Sequence, residues 1–194
     1  MDEKRFFLER VVKENPDKKI LAFVRTQVRA ERVVAAMERV GIESVSMHGG
    51  KEQKDRTDVM KRFKKGDVKL LIATDVSSRG IDIPNVDYVV NYDLPDQPEN
   101  YVHRVGRTGR GTAKGIAVSF CSSEEKPILD EIQTYLTKDI KVLQLDPEDR
   151  EATIDFSPEA KFDWKALMKE AEEDEVKAKA AKAKKAKAKA KKKK

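Results

Sequence analysis

Short apolar runs recur along this chain with room for one helix between neighbours, and that alternation restricts the fold more than any other feature of the sequence. Ile20, Leu21, Ala22, Phe23 and Val24 follow one another without a polar residue, which suits a strand buried on both faces. Residues 28–40 then place apolar side chains at helical spacing until Gly41 stops them. The pattern returns, with 44–47 as strand, 52–63 as helix stopped by Gly66, and 69–73 as another buried strand. Residues 86–91 and 115–120 supply two more strands, with a helix over 98–104 between them and one over 124–136 after. Ahead of all this, Phe6, Phe7, Leu8, Val11 and Val12 mark a first helix within 4–14, closed by Asn15-Pro16-Asp17. Strands alternating with helices imply an α/β fold, a doubly wound and mostly parallel sheet flanked by helices.

In open sheets of this kind ligands gather beyond the carboxyl ends of the strands. Thr26, Gly49-Gly50, Thr74-Asp75 and Asn91-Tyr92-Asp93 all follow strands of the reading above, so they should share one rim. Residues 103–110 read His-Arg-Val-Gly-Arg-Thr-Gly-Arg. Three arginines three residues apart among glycines suit a clustered anion, because guanidinium stays charged and its planar fork matches phosphate oxygens. A nucleotide phosphate is the natural target. Yet no G-x-x-x-x-G-K-[ST] phosphate loop occurs, since Gly50-Lys51 is followed by Glu52 and lacks a suitably spaced glycine before it. The chain carries half of a phosphate site.

Composition narrows the remaining classes. From Lys177 to Lys194 only Lys and Ala occur, eleven lysines without an acid, so the net charge of +6 divides into +11 there and −5 over residues 1–176. Any cationic groove on the body must therefore come from local arrangement. Cys121 is the single cysteine and only two histidines occur, which excludes an intrachain disulfide and a C-x-x-C metal site and speaks against structural zinc. No apolar run approaches the roughly 20 residues of a membrane span, and Met1-Asp2-Glu3-Lys4 does not open a secretory signal. A soluble, cytoplasmic protein with no membrane partner and no metal site of its own is expected, most simply a monomer.

These residues together resemble the C-terminal RecA-like domain of bacterial-type DEAD-box RNA helicases, over residues 4 to about 145. Residues 20–26 are similar to motif IV of that family and Gln53 to Arg56 to its Q-x-x-R element. Ala-Thr-Asp-Val-Ser-Ser-Arg-Gly-Ile-Asp at 73–82 resembles motif V, 87–95 the D-x-V-x-N-Y-D-x-P element, and 103–110 motif VI, H-R-x-G-R-x-x-R. Motif V here has Ser77-Ser78 where Ala-Ala is frequent, a change that removes no ligand group. The resemblance implies a two-domain clamp closing on ATP and RNA, of which this chain supplies one wall. The phosphate loop, the Asp-Glu-Ala-Asp motif and the Mg²⁺ they hold would belong to a first RecA-like domain, and the start so near the first helix suggests a chain cut at the interdomain linker.

The roles that follow are implied by that resemblance. Arg107 and Arg110 would reach the γ-phosphate as arginine fingers, the alternative being ion pairs to the domain's own acids. Asp82, with Gly80 beside it, would meet the nucleotide ribose, unless Asp82 caps the turn before Pro84. His103 and Arg104 would couple the nucleotide site to RNA and to the facing domain. RNA would be held by phosphates and 2′-hydroxyls, through Gly49, Thr26, Thr74, Arg56, Arg25 and Arg79, although Arg25 and Arg79 also suit loop or interface stabilisation. The expected activity is RNA-stimulated ATP hydrolysis by the two-domain protein, with this chain alone inactive. A passive RNA-binding or partner-docking module and half of a related DNA helicase are the competing readings.

Residues 1–145 thus form the domain, 146–176 an acidic and aromatic appendage with a helix from 158 to about 175, and 177–194 a basic tail disordered when free. Phe156, Phe162 and Trp164 in the appendage seek either the chain's own core or a partner. The tail tethers RNA nonspecifically or only solubilises the chain.

Overall fold

The computed structural model describes residues 3–75, 86–109 and 115–158. Helix α1 (Lys4–Glu14) precedes strand β1 (Ile20–Phe23), helix α2 (Gln27–Arg39), strand β2 (Ser44–Met47), helix α3 (Gln53–Lys65) and strand β3 (Leu70–Ala73). Strand β4 (Tyr88–Asn91), helix α4 (Pro98–Val105), strand β5 (Ile116–Ser119), a 3₁₀ turn (Ser123–Glu125), helix α5 (Lys126–Leu136) and helix α6 (Pro147–Asp155) follow. The expected strands and the first helices are found with ends moved by a residue or two, where capping decides the boundary. Thr26 starts α2 by accepting the Arg29 N–H on its hydroxyl, and Gly66 ends α3 at φ +87°, a left-handed conformation a side chain disfavours.

The five strands pair in the order β2-β3-β1-β4-β5, and each pair is parallel. Because successive side chains on a strand point to opposite faces, β1 sends Ile20 and Ala22 into one core, which Val24 just beyond the strand also joins, and Leu21 and Phe23 into the other. The first core also holds Leu8 of α1 and Ala30, Val33 and Met37 of α2. The second holds Met60 and Phe63 of α3. Burial on both sides explains why β1 and β3 are unbroken apolar runs. A third cluster joins Leu94, Tyr101 of α4 and Ile132 of α5. Strand β5 lies at the sheet's edge, and its Ile116 is 47% exposed.

The chain separates into two compact units, Met1–Ser157 and Pro158–Lys194. The first contains every element named above, including α6, although residues from 146 onward read in the sequence as an appendage. That helix docks on α1 by polar contacts: Arg10 Nη1 donates to Thr153 Oγ1 at 2.7 Å and Arg150 donates to Glu3 at 2.6 and 2.9 Å. The helix expected over 158–175, with Phe162 and Trp164, and the basic tail lie outside the described residues.

Candidate functional site

The strand register builds the site. Met47, Ala73, Phe23 and Asn91 lie level across the sheet, and Ser119 is level with Asn91, so the four loops following β1 to β4 leave from one line. With strands about 4.8 Å apart, Gly49, Thr74 and the Arg25-Thr26 pair occupy three adjacent places on a rim about 10 Å wide. Helices α2 and α3 also begin there, adding the positive ends of their dipoles. Gly49 and Thr26 are exposed, whereas Thr74 is buried, its N–H donating to Met47 O at 3.2 Å. Arg56 stands on the first turn of α3 and its Nη1 donates to Gln53 Oε1 at 3.3 Å, a tie that orients the guanidinium within the Q-x-x-R element.

Arg25 engages its own domain. Its Nε lies 3.3 Å from Asp96, and its Nη2 donates to Leu94 O at 3.4 Å and sits 3.9 Å from Glu125. The loop-stabilising contacts open to it are present, and they leave its side chain 42% exposed. Beneath it lies a buried ionic cluster. Asp93 accepts the Arg25 N–H at 2.9 Å and pairs with Arg29 at 3.3 Å and Lys4 at 3.7 Å. Lys4 also donates to Glu125, whose oxygens accept the Ser122 and Leu94 N–H groups at 3.0 and 3.3 Å. Burial pushes the Glu125 carboxyl up, but the Lys4 and Ser122 hydrogen bonds together hold it below the ordinary carboxylate range.

Arg104 is the most engaged residue of the site. Nearly fully buried on α4, it donates from Nε and Nη2 to the two carboxylate oxygens of Asp75, both at 2.7 Å. Its Nη1 donates to Asp93 O at 2.7 Å and to Asn91 Oδ1 at 3.2 Å, and the guanidinium carbon sits 5.0 Å from the centroid of the Phe23 ring. The fork thus ties α4 to the carboxyl ends of β3 and β4.

Arg107 occupies the opposite end of β4. Its N–H donates to Arg104 O at 3.0 Å and its carbonyl accepts the Val86 N–H at 3.1 Å, while Thr108 Oγ1 donates to Val86 O at 2.6 Å. Arg107 is half-buried, and its guanidinium makes no hydrogen bond or ion pair with a described residue. His103, one residue before Arg104, is exposed. The structure therefore brings Thr26, Arg25, Gly49 and Thr74 to the rim and sets Arg107 apart from them, with Arg104 joining the two places. Arg79, Gly80, Asp82 and Arg110 lie outside the described residues.

Several residues that shape the site carry no motif of their own. Lys4 and Glu125 are 121 positions apart, and only the capping-box spacing of Ser122 and Glu125 offered a signal. Gly115 reads in the sequence only as the first residue of a strand. A methyl group there would come within 1.9 Å of Thr108 Oγ1 and 2.4 Å of Gly109 N, so its lack of a side chain lets β5 close on the segment bearing Arg107. Among the described residues no three His, Cys, Asp or Glu side chains converge as a metal site requires, and no helix is long and apolar enough to cross a membrane.

Comparison with known proteins places this geometry. Residues 3–112 match the family described as the helicase conserved C-terminal domain. The ATP-dependent RNA helicase DbpA of Bacillus subtilis is 43% identical over 145 residues, 74% of this chain and 30% of that protein. The ATP-dependent RNA helicase RhlB of Shewanella amazonensis is 37% identical over 161 residues, 83% of this chain and 36% of that one, so the chain spans about a third of these relatives. Among solved structures, the Escherichia coli DEAD-box protein SrmB, bound to regulator of ribonuclease activity A, superposes with a TM-score of 0.70 at 33% identity, covering 74% of this chain and 85% of that one. The C-terminal domain of the DEAD-box protein Dbp5 gives 0.69 at 33% identity, covering 79% and 91%. With its five parallel strands flanked by helices, as in these DEAD-box C-terminal domains, and with residues 3–112 matching the family, the chain belongs to the helicase conserved C-terminal domain family, as the RecA-like C-terminal domain of the DEAD-box type.

Proposed function

We propose that this chain works as the second motor domain of an ATP-dependent RNA helicase, holding RNA on the strand-end rim and presenting Arg107, with Arg110, to a nucleotide bound by a first RecA-like domain. One observation carries the reading: Arg104 fastens α4 to Asp75 and the Asp93 carbonyl at the rim, while its own carbonyl receives the Arg107 N–H. A shift of the rim on binding RNA is thereby transmitted to the position of Arg107. Phosphoryl transfer spreads negative charge over the γ-phosphate oxygens, and a cation inserted there lowers the barrier without acting as base or nucleophile. As the family resemblance implies, the phosphate loop, metal binding and water activation are assigned to the first domain. Asp82 and Gly80 would meet the ribose, and Gly49, Thr26, Thr74, Arg56 and Arg79 the RNA backbone.

The test is RNA-stimulated ATP hydrolysis by residues 1–194 alone and after fusion to a first RecA-like domain. Only the fusion should turn over, and Arg107→Ala should slow it by about 10³-fold or more, equivalent to roughly 4 kcal/mol. RNA-stimulated hydrolysis by the chain alone, with contaminating helicase excluded, or a loss under about tenfold in the variant, overturns the proposal.

A further inference from the structure

A single carboxylate oxygen gathers the groups that shape the Gly49-Gly50 turn. Glu31, on α2, accepts the Ser46 hydroxyl on Oε1 at 2.7 Å, and the same oxygen lies 2.6 Å from His48 Nε2 and 3.5 Å from Lys51 Nζ. His48 and Lys51 are the first and fourth residues of the turn, which the Lys51 N–H closes by donating to His48 O at 3.2 Å. Gly49 and Gly50 are the two residues between. Both corners of the turn, and β2 just before it, are therefore fastened to one atom of a neighbouring helix.

The rest of the surroundings makes that fastening the main restraint. The His48 ring is buried and its Nδ1 has no hydrogen-bond partner among the described residues, so the imidazole is held by hydrogen bonding through Nε2 and Glu31 alone. A methyl group on Gly50 would come within 2.5 Å of Gln27 Oε1 and 3.2 Å of His48 Nδ1, which shows α2 packed close over the turn. Burial favours a protonated Glu31, yet the His48 and Ser46 hydrogen bonds and the Lys51 charge together hold its pKa below the ordinary value. Glu31 is thus an ionised acceptor at neutral pH, beside a surface assigned to an anionic ligand. An acid has no attraction for phosphate, so its place there calls for another purpose.

We infer that Glu31 is a positioning residue for RNA, holding the Gly49-Gly50 turn through His48 and Lys51 so that its backbone meets a phosphate already shaped. This rests on the RNA reading of the rim. Simple electrostatics says that removing an acid near an anion tightens binding, whereas loss of a preformed turn weakens it, because the ligand must then order the loop.

The experiment follows the backbone amides of residues 1–194 by NMR while a ten-nucleotide single-stranded uridine RNA is added, for the unsubstituted chain, Glu31→Ala and Glu31→Gln. Signals of Gly49 and Gly50 should move in the unsubstituted chain. Glu31→Ala should weaken the affinity read at those amides roughly three- to tenfold and speed hydrogen exchange at Lys51. Glu31→Gln keeps an acceptor oxygen and sheds the charge, so it should preserve Lys51 protection and bind at least as tightly as the unsubstituted chain. Should Glu31→Ala not fold, His48→Asn, too short to reach Glu31, repeats the test from the turn's side. If Glu31→Ala tightens binding, or changes neither affinity nor exchange while Gly49 still responds to RNA, the inference fails and the RNA face stands. If Gly49 and Gly50 of the unsubstituted chain ignore the RNA, the RNA reading fails and takes the inference with it.

Discussion

Arg104→Lys separates the fork from the charge. The arginine makes four hydrogen bonds, two to Asp75 and one each to Asp93 O and Asn91 Oδ1. An ammonium group is a point donor on a shorter stem. Set against Asp75 it keeps one of those two bonds, and it leaves the Asp93 carbonyl and the Asn91 side chain without this donor. Two short charge-assisted bonds are then lost, worth about 1.5–3 kcal/mol each. Asp75 is 28% exposed, so water recovers part of its share, and a net loss of about 2–4 kcal/mol remains. For a unit of this size that lowers the melting temperature by about 5–15 °C. Calorimetry of the full chain measures it, with Arg107→Lys as a control expected within about 2 °C because its guanidinium has no described partner. Asp75→Asn combined with Arg104→Lys should cost less than the two added together by at least about 1 kcal/mol. A melting temperature for Arg104→Lys within about 2 °C of the unsubstituted chain would refute the view of Arg104 as the internal tie between rim and Arg107.

Three further outcomes follow from particular contacts. Gly115→Ala drives a methyl group into Thr108 and the Gly109 backbone; it should destabilise the chain by about 1–3 kcal/mol in urea unfolding, and a neutral result would show that β5 does not press on that segment. Thr153→Val breaks the bond from Arg10 and the one the hydroxyl donates to Asp149 O; amide exchange in α6 should accelerate by about tenfold while the strands stay protected, and unchanged α6 exchange would dissolve the proposed docking on α1. The depressed pKa of Glu125 adds stability that is complete above its unfolded value of about 4.3 and lost as pH falls through the lower folded value. Urea midpoints measured from pH 7 to pH 3 should therefore decline less steeply for Glu125→Gln, with the residual slope including Glu31, which is depressed too; equal slopes would contradict the Lys4–Glu125 tie.

What could be read from the residues depended on how each element holds itself in place. Strands β1 and β3 bury both faces, so their sequences are apolar throughout and announce themselves without partners. Helix α6 is different. Its sequence, Pro-Glu-Asp-Arg-Glu-Ala-Thr-Ile-Asp, has no apolar stripe because it docks through Thr153 and Arg150, and polar docking leaves no periodicity to find. Its start was nonetheless marked, by Asp146 accepting the Asp149 N–H with Pro147 in the first turn, the signature of a capped helix.

The site divides along the same line. Gly49, Thr26 and Thr74 were placed on a common rim because parallel strands put every following loop at one end, a consequence of topology that needs no knowledge of side chains. The role of Arg104 is not legible in the sequence. In the sequence it stands in the same arginine run as Arg107, three residues on, and the two have the same charge and the same glycine-rich setting. What separates them is the partner each meets: Asp75, 29 positions earlier in the chain, takes the first arginine into the interior, and no described acid takes the second. Spacing within a motif names the residues able to bind phosphate, and which of them remains available is decided by acids that only the folded sheet brings near.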